Sequence, residues 1–121
     1  MIVGIGNYEG KQEHDMTGKY VCPGFIDSHL HLESTLVTPK ELVTVASRHG
    51  TTTFIVDPHE SANVSGLAGI NYILDQTEDA SANVFVMMPS CVPATSIDDN
   101  GCTLTAEDMT QYLDNERILG L

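Results

Sequence analysis

The sequence has 121 residues, of which 41% are hydrophobic, so it is long enough to form one packed domain. Only 5 Lys and Arg residues stand against 17 Asp and Glu residues, which gives a formal net charge of -12. A surface this acidic is repelled by phosphate backbones and anionic lipids. The charge therefore argues against nucleic acid and membrane surfaces as partners.

The cysteines are few and scattered along the chain: Cys22, Cys91 and Cys102. An odd number without a CxxC pair is typical of free thiols in a reducing compartment. The first residues show neither the basic nor the apolar segment of a signal peptide, and no apolar run approaches the roughly 20 residues that span a bilayer. These features predict a cytoplasmic protein.

The pattern of predicted elements changes after Cys22. Residues 1–22 alternate short apolar stretches with glycines, which predicts small antiparallel strands. The rest alternates strands and helices, as a parallel sheet does. Strands are predicted at residues 25–33, 51–56, 83–88 and 117–121, and helices after the N-cap Thr38, at about 65–78 and after the N-cap Thr105.

This succession is three βα units and the start of a fourth strand. It predicts an α/β fold that is part of a (β/α)8 TIM-type barrel, whose usual length is about 250 residues. Residues 23–121 would be the N-terminal part of the barrel, and residues 1–22 a short piece of a flanking β-sandwich domain. A small doubly wound sheet is the alternative, but no strand is followed by its glycine-rich phosphate loop.

Two histidines stand two residues apart in the first predicted strand. Side chains two apart share a face of a strand, so one face carries only ionisable groups: Asp27, His29, His31 and Glu33. Imidazoles with this spacing near the end of a barrel strand can converge on one metal ion. The alternative is a half-buried strand with a solvated polar face, although such a face usually carries Lys, Thr and Ser.

The ends of the next two predicted strands carry further candidates. Asp57, His59 and Glu60 follow the second strand, which makes them catalytic candidates at the edge where barrel enzymes keep their sites. An acid before a proline is also a common turn former. Ser90 and Cys91 follow the third strand and, together with Glu33, are candidates for a substrate pocket. For Cys91 a place in the pocket wall is favoured over a nucleophile, because no histidine is near it in sequence.

Longer segments resemble the metal-dependent amidohydrolase superfamily. The run GKYVCPGFIDSHLH at residues 18–31 is similar to the entry into the amidohydrolase barrel. The branch it resembles most is that of the adenine deaminases rather than the dihydroorotases, on five segments: HLHLES (29–34), VTP (37–39), HGTTT (49–53), DPHESANV (57–64) and PSCVPAT (89–95). The resemblance covers nearly the whole chain.

The resemblance implies hydrolytic deamination of adenine to hypoxanthine and ammonia by a metal-activated water. It implies that His29 and His31 hold one ion of a binuclear divalent pair, for which Mn, Fe(II) and Zn are compatible with imidazole and carboxylate ligands. A small purine base would be the substrate, and a homo-oligomeric enzyme of purine salvage is expected.

The resemblance also implies that the metal site is incomplete in these residues. Amidohydrolases add a bridging residue on the fourth strand, histidines on the fifth and sixth, and an aspartate on the eighth. These positions fall beyond Leu121, so we expect an N-terminal fragment that binds metal weakly and does not turn over by itself.

The same residues are compared with three other functions. An amidohydrolase branch acting on cyclic amides would share the two histidines but is not expected to share the segments at 57–60 and 90–94. Cysteine-ligated nucleobase deaminases contain an HxE element, which His31-Leu32-Glu33 matches, but their PCxxC motif is absent. A non-catalytic remnant that acts through association with itself or another chain would expose parallel sheet edges.

Overall fold

The computed structural model describes residues 2–121. Residues 2–22 form neither helix nor strand, so the antiparallel strands predicted there are absent from the described part of this segment. Its large apolar side chains are exposed: Ile2, Val3, Ile5, Tyr8, Met16, Tyr20 and Val21. Two or three short strands cannot bury a core alone, and no other part of residues 2–121 covers these side chains.

Four parallel strands form one sheet: β1 Phe25–Leu30, β2 Thr51–Val56, β3 Asn83–Met87 and β4 Ile118–Gly120. Their order in the sheet is their order in the chain. Four helices connect them: α1 Pro39–Ser47, α2 His59–Ser65, α3 Leu67–Gln76 and α4 Ala106–Met109. Short 3-10 turns lie at Glu33–Thr35 and Thr110–Tyr112. The predicted α/β class with a parallel sheet is confirmed.

Local signals fix some element boundaries and not others. The Thr38 hydroxyl accepts a hydrogen bond from the Glu41 backbone N–H at 3.4 Å, which confirms the predicted N-cap of α1. The helix predicted at about 65–78 is confirmed as α3, and a second helix, α2, ends just before it at Gly66. Gly66 has φ +61, and a Cβ there would collide with the Cys102 sulfur. This left-handed residue ends α2, which begins at His59 and was not predicted.

The helices and the sheet share one core. Val43 of α1 and Ile70 and Ile73 of α3 are almost fully buried, and they belong to one cluster with apolar residues of β2 and β3: Phe54, Val56, Val84 and Val86. Burial of each such side chain contributes roughly 1.5–3 kcal/mol. In the outer strand β1, by contrast, the side chains of Phe25 and Ile26 are 67% and 63% exposed. Among residues 2–121 no helix is both long enough and apolar enough to cross a membrane.

Arg117 connects the sheet to the end of α3. Its Nε donates to the Val84 carbonyl oxygen at 3.1 Å, and one terminal nitrogen donates to the Leu74 carbonyl oxygen at 2.8 Å. The other terminal nitrogen donates to the Thr77 hydroxyl. Burial lowers the pKa of Arg117, but an arginine remains charged at neutral pH. A cation at the C-terminal end of α3 also interacts favourably with the helix dipole.

We expect Arg117→Met to destabilise the fold by about 1.5–3 kcal/mol, the usual contribution of hydrogen bonds to a charged group. Methionine keeps an apolar stem but leaves the two carbonyl oxygens and the hydroxyl without their donor. Urea unfolding followed by circular dichroism measures the loss. The control is Arg48→Met, an exposed arginine after α1, for which a change within about 0.5 kcal/mol is expected. Equal losses in both variants would contradict this role of Arg117.

Candidate metal centre

Three ionisable side chains meet at the carboxyl ends of β1 and β2. His29 lies in β1, His31 follows it directly, and Asp57 directly follows β2. Parallel pairing sets Leu30 opposite Val56, and the Asp57 backbone N–H donates to the Leu30 carbonyl oxygen at 2.9 Å. This bond continues the pairing one residue past β2, so it places Asp57 beside the two histidines.

The side-chain atoms of this His-His-Asp cluster (His29, His31 and Asp57) are close enough to share one ion. One potential ligand atom from each residue lies within 4.8 Å of the other two. The two imidazole rings are 5.0 Å apart between centroids and nearly perpendicular, at 85°. Metal bonds of about 2.0–2.2 Å to nitrogen and oxygen place neighbouring ligands roughly 3–4 Å apart. Small side-chain rotations therefore suffice to bring the three groups onto one cation.

Unpaired polar atoms support a cation rather than a hydrogen-bonded network. The Nδ1 atom of His31 and the Oδ1 atom of Asp57 are buried and have no hydrogen-bond partner within residues 2–121. A buried polar atom without a partner costs about 1–3 kcal/mol, so nearly all such atoms have a partner, and a bound ion can be that partner. Imidazole nitrogen and carboxylate oxygen together suit a divalent transition metal. The residues present therefore fit the group that the sequence predicts.

Asp27 and Glu33 do not join the cluster, although strand alternation predicted one shared face. Oδ1 of Asp27 accepts a hydrogen bond from the His29 backbone N–H at 3.3 Å. β1 ends at Leu30 rather than at residue 33, and Glu33 begins a 3-10 turn. The turn breaks the alternation, so the Glu33 carboxylate contacts the start of α2 instead, where it accepts from Ser61 at 3.1 Å.

The remaining residues that follow β2 lie at the start of α2. His59 is its first residue and is half-buried, outside the His-His-Asp cluster. The Glu60 carboxylate is exposed and accepts a hydrogen bond from the Ser34 hydroxyl at 2.7 Å. Sequence reasoning grouped Asp57 with these two as catalytic candidates and missed it as a possible third ligand. The available signal was its position directly after the strand that neighbours the two histidines.

Ser90 and Cys91 follow β3 and are exposed. They line a surface pocket with residues of the following loop, among them Pro93 and Thr95, and none of the His-His-Asp cluster lines it. The Ser90 hydroxyl donates to the Cys91 sulfur at 3.9 Å. Both residues lie at the same edge of the sheet as the cluster, so their assignment to a substrate pocket stays a prediction.

Three relatives with similar sequences are all named adenine deaminase. The chain is 62% identical over all of its 121 residues to an adenine deaminase of Desulfitobacterium hafniense (strain Y51), covering 21% of that protein. It is 53% identical over 120 residues, 99% of the chain, to an adenine deaminase of Clostridium acetobutylicum, again covering 21% of the relative. An adenine deaminase of Methanoculleus marisnigri is 48% identical over 120 residues, which are 99% of the chain and 23% of the relative.

The chain thus spans about a fifth of the length of these curated relatives. The family model described as "Amidohydrolase family" matches residues 20–118, which include β1 to β3 and the whole His-His-Asp cluster. A match over this share of the sequence is decisive for the family. The chain therefore belongs to the amidohydrolase family, as its motifs predicted.

Proposed function

We propose that this chain is part of a metal-dependent enzyme that hydrolyses adenine to hypoxanthine and ammonia. The observation that carries the proposal is the meeting of His29, His31 and Asp57 at one edge of the sheet, with buried atoms that lack hydrogen-bond partners in the described chain. The relatives named adenine deaminase, at up to 62% identity, supply the substrate. Adenine is uncharged at neutral pH, so the acidic surface does not repel it.

The sheet would be the first part of a (β/α)8 barrel, with residues 23–121 in the barrel and residues 1–22 in a small flanking β domain. Four parallel strands in chain order, each joined to the next through helix, are what the start of such a barrel requires. The exposed Phe25 and Ile26 of β1 are the kind of surface that further barrel elements cover. A cytoplasmic homo-oligomer remains the expected state.

His29, His31 and Asp57 would hold one divalent cation, and further residues outside this chain would complete a binuclear pair of Mn, Fe(II) or Zn. When bound, the cation supplies Lewis-acid chemistry that makes water acidic enough to attack near neutral pH. The Asp57 carboxylate would contribute one negative charge toward neutralising the cation. His59 and Glu60 lie one short turn away and are the candidates for moving a proton. Ser90 and Cys91 would contact the purine.

A thermal-shift experiment tests the cation site. We expect Mn²⁺ to raise the unfolding temperature of the product of the longest reading frame that contains these residues. A ligand at a hundred times its dissociation constant stabilises by about 2.7 kcal/mol. His31→Ala should abolish most of the shift, whereas His49→Ala, an exposed histidine after α1, should keep it. An equal shift in wild type and His31→Ala would exclude His31 as a ligand.

Activity is tested with the same product, loaded with Mn²⁺ and assayed for ammonia release from adenine. Loss of a metal ligand should lower kcat/KM by about 100-fold or more in His29→Ala, since even indirect partners of a metal cost 10–100-fold. His14→Ala, in the exposed segment before β1, should retain activity. The isolated 121 residues should release no ammonia. Release that survives chelation, or turnover of cyclic amides but not adenine, would refute the proposal.

A further inference from the structure

Glu33 connects two segments that are far apart in sequence. Its Oε1 atom accepts hydrogen bonds from the backbone N–H groups of Glu60, at 3.0 Å, and Ser61, at 3.1 Å. Both donors belong to the first turn of α2, whose N–H groups have no partner within the helix. Glu33 itself follows His31 by two residues. One carboxylate oxygen therefore joins the segment after β1 to the start of α2.

These bonds fix the backbone on the C-terminal side of Asp57. On the other side the Asp57 backbone N–H donates to the Leu30 carbonyl oxygen at 2.9 Å. Pro58, almost fully buried, lies between the two attachments and restricts the backbone through its ring. Both attachments end on the segment from Leu30 to Glu33, which also contains His31. The relative position of His31 and Asp57 is thus set by contacts on both sides of the aspartate.

We propose that Glu33 is a positioning residue that holds Asp57 against His29 and His31. The inference rests on the proposed metal site. Ligands must be held to within about 0.5 Å of productive geometry, and the residues that hold them are as important as the ligands. A side-chain oxygen suits this task because its lone pairs accept two amide N–H groups from the first turn of a helix. Glu33 acts through the backbone and touches none of the three ligand side chains by a hydrogen bond.

The competing role is direct contact with a substrate. The Oε2 atom of Glu33 is buried and has no hydrogen-bond partner in the described residues, so it is the atom that would make such a contact. Glutamine separates the two roles. Glu33→Gln keeps an acceptor oxygen for the α2 amides and replaces only the other oxygen by an NH₂ group. A positioning role therefore tolerates glutamine, whereas a substrate contact through Oε2 raises KM for adenine.

The test compares four variants of the longest reading-frame product. Glu33→Ala removes the acceptor, and Glu33→Asp shortens the side chain by one methylene but keeps the charge. Glu33→Gln keeps the length and one acceptor oxygen but removes the charge. The matched control is Glu41→Ala, an exposed glutamate of α1. The readouts are hydrogen exchange at the Glu60 and Ser61 amides without metal, and Mn²⁺ affinity by competition with a chromogenic chelator.

We expect Glu33→Ala and Glu33→Asp to accelerate exchange at the two amides and to weaken Mn²⁺ binding by about tenfold. Glu33→Gln and Glu41→Ala should stay within about threefold of wild type. In a double-mutant cycle, Glu33→Ala should add little to the loss caused by Asp57→Ala, because it acts through that residue. A variant that only lowers the stability of the fold would add its loss of Mn²⁺ affinity to that of Asp57→Ala. Non-additive losses therefore indicate that Glu33 acts through Asp57.

Unchanged Mn²⁺ affinity in Glu33→Asp and Glu33→Ala would overturn the proposal, and so would losses that add fully to those of Asp57→Ala. Loss of adenine affinity in Glu33→Gln at unchanged metal affinity would assign Glu33 to substrate instead. A wild-type protein that binds no metal would refute the proposed function and with it the positioning role. The exchange data would then still decide whether Glu33 anchors α2, so the two failures are distinguishable.

Discussion

The parallel pairing of β1 with β2 is the constraint on which the candidate site depends. His29 in β1 and His31 directly after it provide at most two ligands, and their local spacing is common. The third side chain comes from 26 residues further along the chain than His31, and only the pairing brings it near. The hydrogen bond from Asp57 to Leu30 is the last bond of that pairing. A shift of one residue between the strands would turn the neighbouring side chains to the opposite face and separate the cluster.

The helix side of the sheet and the carboxyl ends of its strands divide stability and chemistry between them. On the helix side, Val56 and Val86 pack against Ile70 and Ile73 in a core of almost fully buried residues. At the carboxyl ends of the strands, the cluster instead carries buried atoms of His31 and Asp57 without partners in the described chain. Such atoms weaken the metal-free fold. The apolar core supplies the stability that lets the chain keep them.

The parts of the fold that local sequence determines were predictable, and the parts that tertiary contacts determine were not. The cap at Thr38, the strand ended by Pro58 and the order of the βα units each have a signal within a few residues. The start of α2 has no side-chain cap of its own, because its N-cap residue, Pro58, carries no acceptor. Glu33 accepts from its amides instead, from another segment. Residues 2–22 show the converse case, in which local strand propensity meets no surface to pair with in the described chain.

The segment HLHLE places its ionisable side chains in two different surroundings, which its period-two spacing conceals. His29 and His31 follow the strand, but the chain turns into a 3-10 helix before Glu33, and the glutamate reaches the α2 backbone. In the cysteine-ligated deaminases the glutamate of HxE moves protons, which requires a carboxylate facing the reacting base. Oε1 of Glu33 already accepts two backbone amides, so only Oε2 is left for such a role. The path of the backbone after His31 therefore decides which groups the carboxylate of this HLE segment can reach.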